Sequence, residues 1–221
     1  MTFKWFGKKE KPVLPSYYLE YEELFSQNKE LPINETRFIV FDTETTGFSR
    51  RDDRVLSIGA ISLIDNAINV NDVFEVYVSQ KVFNAETVPI HGILKEGRIE
   101  KITELSALKL FLKYIENAVL VGHHIGFDID MINEILKRHQ LPKLQNKTLD
   151  TGSLYKKSKH TIYQDKDKHY SLDNLCDELN ISKSDRHTAS GDAYITAIAF
   201  LKILSRLNKN DDLKLKDLLL D

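Results

Sequence analysis

The chain has 221 residues, of which 42% are hydrophobic, so it is long enough to form one domain with a substantial core. Its 31 Lys and Arg residues against 33 Asp and Glu residues give a formal charge of −2, which excludes the large cationic field of a protein that grips duplex DNA non-specifically. The single cysteine, Cys176, excludes an intramolecular disulfide and a thiolate metal cluster. No apolar run approaches the roughly 20 residues of a membrane span, and the first residues lack the apolar stretch of a signal peptide, so we expect a cytoplasmic protein without a membrane partner.

The first 34 residues have the composition of an appendage. A basic, proline-punctuated stretch at residues 8–15 precedes a helical stripe of aromatic and apolar side chains, formed by Tyr17, Tyr18, Tyr21, Leu24 and Phe25. Such a stripe most often packs on its own domain, and a protein partner that docks on this helix is the alternative. We assign residues 1–34 to this appendage, residues 35–208 to the main domain and residues 209–221 to a short tail.

The main domain starts with strands and continues with alternating helices and strands. The uninterrupted apolar run 38–41 predicts a buried strand, and runs 55–64 and 73–78, separated by a turn, predict an antiparallel hairpin. The later periodicity predicts helices at 103–115, 129–139 and 189–207, a shorter helix that ends at 179, and a strand at 118–122. This order predicts an α/β fold in which helices cover a mixed sheet.

Two carboxylates follow the first predicted strand. Strand side chains alternate between faces, so Asp42 and Glu44 point the same way if the strand continues through them. They also lie at a strand end, where open α/β sheets bind their ligands. Because 33 acidic residues produce several such pairs by chance, a solvated strand end that runs into a turn is the alternative for this pair alone.

A third acid, Asp192, lies on the buried stripe of the last helix. Burial of a carboxylate is costly unless the group is paired or binds a metal. No Lys or Arg shares the stripe, and Arg186 is the nearest basic residue in sequence. The alternative is an acid in the first helical turn that interacts favourably with the helix dipole.

Asp128 supplies a fourth acid at the start of a helix, where an isolated Asp is most often a cap. Nearby like charges do not all stay ionised, so these four acids converge only around a cation. Hard oxygen ligands suit Mg²⁺ or Mn²⁺, and two such ions are a known solution for in-line attack on a phosphodiester. His187 lies just before Asp192 and is suited to take a proton from the attacking water, with a surface histidine in a loop as the alternative.

Together, three segments resemble the three motifs of the DEDDh 3′-to-5′ exonucleases: Phe41–Gly47, His123–Asp128 and His187–Asp192. The histidine precedes the last acid by five positions, as in the His subclass of that family. The resemblance covers about residues 37–207 and is greatest to the proofreading (epsilon) subunits of bacterial DNA polymerase III. It implies an RNase H-like fold with a mixed five-stranded sheet flanked by helices.

The resemblance also implies a role for each motif residue. Asp42 is expected to bridge two divalent cations, and Glu44 and Asp192 are expected to complete the tighter site. Asp128 is expected to hold the second ion mainly through water, and His187 is expected to be the general base. The substrate-binding residues implied by the family motifs, including the segment 88–93, are Thr45, His91, Gly92, Phe127 and His124, the last of which replaces the Asn of many relatives.

The implied activity is removal of nucleoside 5′-monophosphates from single-stranded or frayed 3′ ends, with DNA favoured as the substrate. An exoribonuclease that trims RNA or short oligoribonucleotides is an alternative, and a non-catalytic adaptor of a polymerase or repair complex is an alternative of another class. Because few residues follow the last helix, we expect a repair or trimming enzyme rather than a replicative proofreader. The Lys-rich stretch 156–170 is expected to be a loop. A charged loop is most often simply solvated, and our hypothesis is that this one guides the 3′ strand, because its basic and aromatic residues suit phosphate neutralisation and base stacking.

Overall fold

The computed structural model describes residues 13–26, 31–159, 169–209 and 212–219. Five strands form its central sheet: β1 (Phe38–Thr45), β2 (Val55–Ile64), β3 (Ala67–Tyr77), β4 (Val119–Gly122) and β5 (Thr148–Asp150). Their order is β3-β2-β1-β4-β5. β1 pairs antiparallel with β2 and parallel with β4, so the predicted mixed five-stranded sheet is confirmed.

Within the described residues, eight α-helices accompany the sheet. They are α1 (Ser16–Glu23), α2 (Val88–His91), α3 (Glu104–Ile115), α4 (Gly126–Arg138), α5 (Thr151–Ser158), α6 (Leu172–Leu179), α7 (Ala189–Leu207) and α8 (Leu215–Leu219). None of the helices in these ranges combines the length and apolar character needed to cross a bilayer.

The alternation of side chains along β1 divides the core into two layers. Phe38 and Val40 pack in one layer with residues of α5, α6 and α7. Ile39 and Phe41 pack in the other layer with residues of α1, α3 and α4. Because the strand continues to Thr45, Asp42 and Glu44 belong to the face of α7, whereas Thr43 belongs to the face of α4.

The first turn of α7 lies directly on β2. A Cβ atom placed on Gly59 would come within 2.1 Å of the backbone nitrogen of Ser190, so this position admits no larger residue without a shift of the helix. The close approach brings Asp192, in the same turn, next to the end of β1.

Helix α1 docks on its own domain through two buried tyrosines. The hydroxyl of Tyr21 donates to Oδ1 of Asn146 at 2.6 Å and accepts from the amide of Gln145 at 2.9 Å. The hydroxyl of Tyr18 donates to the carbonyl of Lys143 at 3.1 Å. The predicted packing of this stripe in cis is therefore confirmed.

The prediction of a loop over residues 156–170 is wrong at its start, because residues 156–158 form the last turn of α5. The ammonium of Lys159 lies 4.8 Å from the ring centroid of Tyr155 and 5.0 Å from that of Tyr170. It therefore contacts one aromatic ring on α5 and one just before α6. Lys157 donates to the backbone of α8 at Asp217. The rest of the expected loop, residues 160–168, lies outside the described residues.

Candidate active site

Three carboxylates meet where β1 ends beneath the first turn of α7. One oxygen each of Asp42, Glu44 and Asp192 lies within 4.8 Å of the other two. Asp42 and Glu44 share a face because they are two residues apart on one strand, and the contact of α7 with β2 brings Asp192 to that face. The structure thus brings together three of the four acids singled out in the sequence.

Burial and mutual repulsion make this cluster electrostatically costly. Burial raises the pKa of Asp42 well above its usual range, and the carboxylates of Asp128, Asp192 and Glu44 raise it further. Burial and the same neighbouring acids raise the pKa of Glu44 to about 7. Unless a positive charge is present, the cluster therefore retains protons at pH values where an exposed acid has lost them.

Arg186 supplies such a positive charge from the loop before α7. Its Nη1 donates to Oδ1 of Asp192, whose side chain is only 9% exposed. Its Nε donates to Oδ1 of Asp173 on α6 at 2.8 Å. The sequence pattern singled out Arg186 only as the nearest basic residue, because the loop that folds it back onto Asp192 has no periodicity from which to predict the contact.

Asp128 approaches the same strand from the opposite face of the sheet. Its Oδ1 accepts from the amide of Thr43 at 3.0 Å and from the hydroxyl of Thr43 at 2.6 Å. The side chain is buried, and burial raises its pKa to about 7 although the two hydrogen bonds oppose this shift. Asp128 on α4 is therefore anchored to Thr43, the strand residue that follows Asp42, and does not belong to the three-carboxylate cluster.

His187 precedes the same turn of α7 and is exposed. Its φ of 71° is in the left-handed region, which marks a sharp change of chain direction. Thr188 then caps α7, since its hydroxyl accepts from the amide of Gly191 at 3.1 Å. This turn presents the imidazole to solvent, next in sequence to the helix that carries Asp192.

A pair of aromatic rings lies beside this end of the sheet. The ring of Phe127 is half-buried, and its centroid is 6.2 Å from that of Phe48, which is 85% exposed. The guanidinium of Arg50 lies 5.9 Å from the Phe127 centroid and pairs with Asp130 at 2.7 Å. The sequence analysis did not single out Phe48 or Arg50. The only feature of the sequence that marks these two residues is their position just after the Thr-Gly turn.

The remaining predicted substrate residues are held by local hydrogen bonds. The hydroxyl of Thr45 donates to the carbonyl of Gly47 at 2.8 Å. His91 is buried, with Nε2 3.0 Å from the hydroxyl of Thr87 and Nδ1 accepting from the amide of Ile93 at 2.9 Å. Both ring nitrogens of His91 are thus used within its own segment.

Gly92 ends α2 with a φ of 69°, a backbone conformation that glycine adopts without strain. His124 is exposed, and its ring centroid lies 4.4 Å from that of His123. His123 in turn contacts the hydroxyl of Thr151 and the carbonyl of Tyr170, at 3.0 Å and 2.8 Å. The two histidines therefore connect the start of α4 to α5 and to the residues that precede α6.

The sequence model of the exonuclease family matches residues 39–200, which is more than half of the chain. The DNA polymerase III subunit epsilon of Buchnera aphidicola is 30% identical over 184 residues, which cover 76% of this chain and 73% of that protein. The chain belongs to this exonuclease family. The family predicted from the three motifs is thereby confirmed.

Other relatives of this exonuclease are much longer. The PolC-type DNA polymerase III of Caldanaerobacter subterraneus is 33% identical over 79% of this chain, but the match covers 12% of that protein. The epsilon-like DNA polymerase III protein of Rhodobacter capsulatus is 33% identical over 80% of this chain and 25% of its own length. The exonuclease thus spans an eighth to a quarter of these two relatives.

Solved structures share the fold at lower sequence identity. Escherichia coli exonuclease I in complex with a dT13 oligonucleotide superposes with a TM-score of 0.66 and 18% identity, over 80% of this chain and 43% of that chain. The cell-death related nuclease CRN-4 has the same TM-score at 12% identity, over 78% and 64% of the two chains. These neighbours agree with the RNase H-like fold that the motifs implied.

The donor set of the three-carboxylate cluster fits a divalent cation. All three clustered side chains are carboxylates, the ligands that hard cations prefer. The raised pKa values of Asp42 and Glu44 show that the free cluster is short of positive charge, which a divalent ion supplies. No cysteine belongs to the cluster, which excludes a thiolate site at this position.

Proposed function

We propose that this exonuclease removes nucleoside 5′-monophosphates from single-stranded or frayed 3′ ends of DNA, with two divalent cations, Mg²⁺ or Mn²⁺, as cofactors. The observation that carries the proposal is the cluster of the partly buried Asp42 and Glu44 with the buried Asp192 in a chain of the exonuclease family. The relatives named DNA polymerase III proteins support DNA as the substrate. DNA repair, proofreading and trimming are physiological settings of this one activity.

Four carboxylates are assigned to the two cations. Asp42, Glu44 and Asp192 would hold the first. Asp42 and Asp128 would hold the second, Asp128 mainly through water, while Oδ1 of Asp128 accepts both hydrogen bonds from Thr43. When bound, the divalent cations stabilise the charge that builds up on the phosphate and lower the pKa of a water molecule.

The side chain assigned to proton transfer is His187. A neutral imidazole takes a proton from the attacking water, whose oxygen bonds to the phosphorus of the terminal nucleotide. The bond from that phosphorus to the 3′ oxygen of the preceding nucleotide breaks, and the 3′ oxygen takes a proton from solvent. The exposure of His187 allows its proton to return to bulk water after each cycle.

Binding of the strand is assigned to the aromatic pair beside the carboxylates. Phe127 and the exposed Phe48 offer ring faces on which an unpaired base stacks, an interaction worth about 1–3 kcal/mol per base. Thr45, Gly92 and His124 are assigned to the terminal base and sugar. We assign His91 to the shape of this pocket, since both its ring nitrogens bond within residues 87–93.

The proposal is tested by digesting matched oligonucleotides labelled at either end, as single-stranded DNA, duplex DNA and single-stranded RNA. With Mg²⁺ or Mn²⁺ we expect 5′-labelled DNA to shorten stepwise, 3′-labelled DNA to release a labelled mononucleotide at once, and EDTA to stop both. Asp42→Asn removes the activity, whereas Asp65→Asn, in the exposed β2–β3 turn, is the matched control and keeps it.

Three results would contradict the proposal. Immediate release of a mononucleotide from the 5′ label would show the opposite direction. Faster digestion of RNA than of DNA would favour the exoribonuclease. Binding of single strands with no product under any cation would favour a non-catalytic adaptor.

A further inference from the structure

Arg186 is the basic residue that touches the carboxylate cluster in the part of the chain that the structure describes. Its Nη1 donates to Asp192, and its Nε donates to Asp173 at 2.8 Å. The guanidinium side chain is 16% exposed and is held between the starts of α6 and α7. Two ion pairs thus fix it at the edge of the proposed cation site.

The cluster needs this charge when no cation is bound. The carboxylate of Asp192 is almost fully buried, and a buried carboxylate is costly without a partner. Arg186 also opposes the upward shifts in the pKa values of Asp42 and Glu44 that burial and repulsion cause. One guanidinium therefore compensates part of the charge of three acids.

A divalent cation bound by the same acids would also supply the positive charge that the cluster requires. Its charge repels a guanidinium that shares one of its ligands, so each positive group weakens the binding of the other. We infer that Arg186 is a built-in counter-ion, which neutralises Asp192 in the cation-free exonuclease and competes with the incoming divalent cation. The inference rests on the proposed function, because it requires that the cluster bind cations.

A simpler role for Arg186 makes the opposite prediction. If the guanidinium only oriented Asp192 as a ligand, its removal would weaken cation binding. If it is a competing counter-ion, its removal strengthens cation binding, because coupling between two bound charges is reciprocal. The sign of the change in affinity therefore distinguishes the two roles.

The test is calorimetric titration of the full chain with Mn²⁺, without nucleic acid. For Arg186→Gln we expect a dissociation constant about tenfold lower than that of the wild type, within the range usual for coupled sites. Arg186→Lys keeps the charge and is expected to stay near the wild type. Asp173→Asn, which removes the anchor but leaves the positive charge, is the second control and is expected to change the affinity less than Arg186→Gln.

Equal or weaker binding of Mn²⁺ by Arg186→Gln would overturn the counter-ion role while leaving the proposed function intact. Failure of the wild type to bind Mn²⁺ at all would overturn both. Thermal denaturation supplies a second readout. In EDTA, Arg186→Gln is expected to have a lower melting temperature than the wild type, and saturating Mn²⁺ is expected to reduce this difference. An equal difference in melting temperature in EDTA and in Mn²⁺ would mean a purely structural ion pair and would also overturn the inference.

Discussion

Replacement of Glu44 by Gln tests the electrostatic cost of the carboxylate cluster. An unfolded Glu loses its proton near pH 4.5, whereas burial and the neighbouring acids raise the pKa of Glu44 in the folded chain to about 7. Between these two pH values the folded state holds one more proton than the unfolded state. Unfolding then releases a proton, so the stability of the cation-free protein falls as the pH rises through this window.

The size of this effect follows from the two pKa values. Each pH unit in the window corresponds to about 1.4 kcal/mol, so the interval from 4.5 to about 7 sets an upper limit of about 3–4 kcal/mol on the loss of stability. The side chain is only partly buried, and solvent screening reduces the figure. We expect Glu44→Gln to be more stable than the wild type by about 1–2 kcal/mol at about pH 8 in EDTA.

Urea denaturation of both proteins in EDTA measures the difference directly. At about pH 5 the folded wild type holds its proton, so the advantage of the Gln variant is expected to disappear. Glu86→Gln changes an exposed acid in the same way and serves as the control. Saturating Mn²⁺ is expected to reverse the order, since an amide is a poorer cation ligand than a carboxylate. An equal difference in the free energy of unfolding at both pH values would contradict a raised pKa of Glu44 in the folded protein.

Three further substitutions test other parts of the account. His187→Gln is expected to lower kcat by about 10²-fold or more, as measured by single-turnover digestion. The affinity for oligonucleotides, measured by fluorescence anisotropy, is expected to change little. Full activity of this variant would exclude the general base role. Tyr21→Phe leaves the buried Oδ1 of Asn146 without its hydrogen bond and is expected to cost about 1–3 kcal/mol in urea denaturation. Tyr194→Phe, at a side chain that is 38% exposed, is expected to cost little, and equal costs would contradict the docking of α1. Gly59→Ala forces the first turn of α7 away from β2. It is expected to lower the free energy of unfolding by about 3 kcal/mol or more and to weaken Mn²⁺ binding. A variant with unchanged stability would mean that this contact is not tight.

Long, buried elements were predicted with accurate bounds. The predicted ranges of β2 and α7 coincide with those observed, because both are apolar on the faces that they bury over at least ten residues. β3 begins at residue 67 rather than 73, since its first half lies at the sheet edge, is mostly exposed and includes two Asn and one Asp. β5 and α2 were missed because three or four residues are too few to show a period.

The positions of site residues were predicted where they follow from the periodicity of a strand or a helix. Side-chain alternation placed Asp42 and Glu44 on one face, and the helical stripe of α7 placed Asp192 in the core. The partners of the acids were not predicted, because the contact of Arg186 with Asp192 and that of Thr43 with Asp128 depend on how separate elements pack. Such contacts leave no periodic signal in the sequence.

Digestion of single-stranded DNA in water enriched in ¹⁸O shows whether water cleaves the 3′-terminal phosphodiester. With Mg²⁺ we expect the wild type to release nucleoside 5′-monophosphates that carry one ¹⁸O on phosphorus, and Asp42→Asn to release none. Mass spectrometry of the products reads both the position of the phosphate and the origin of its new oxygen. Nucleoside 3′-monophosphates, or 5′-monophosphates without the label, would contradict hydrolysis by water at the 3′-terminal phosphodiester.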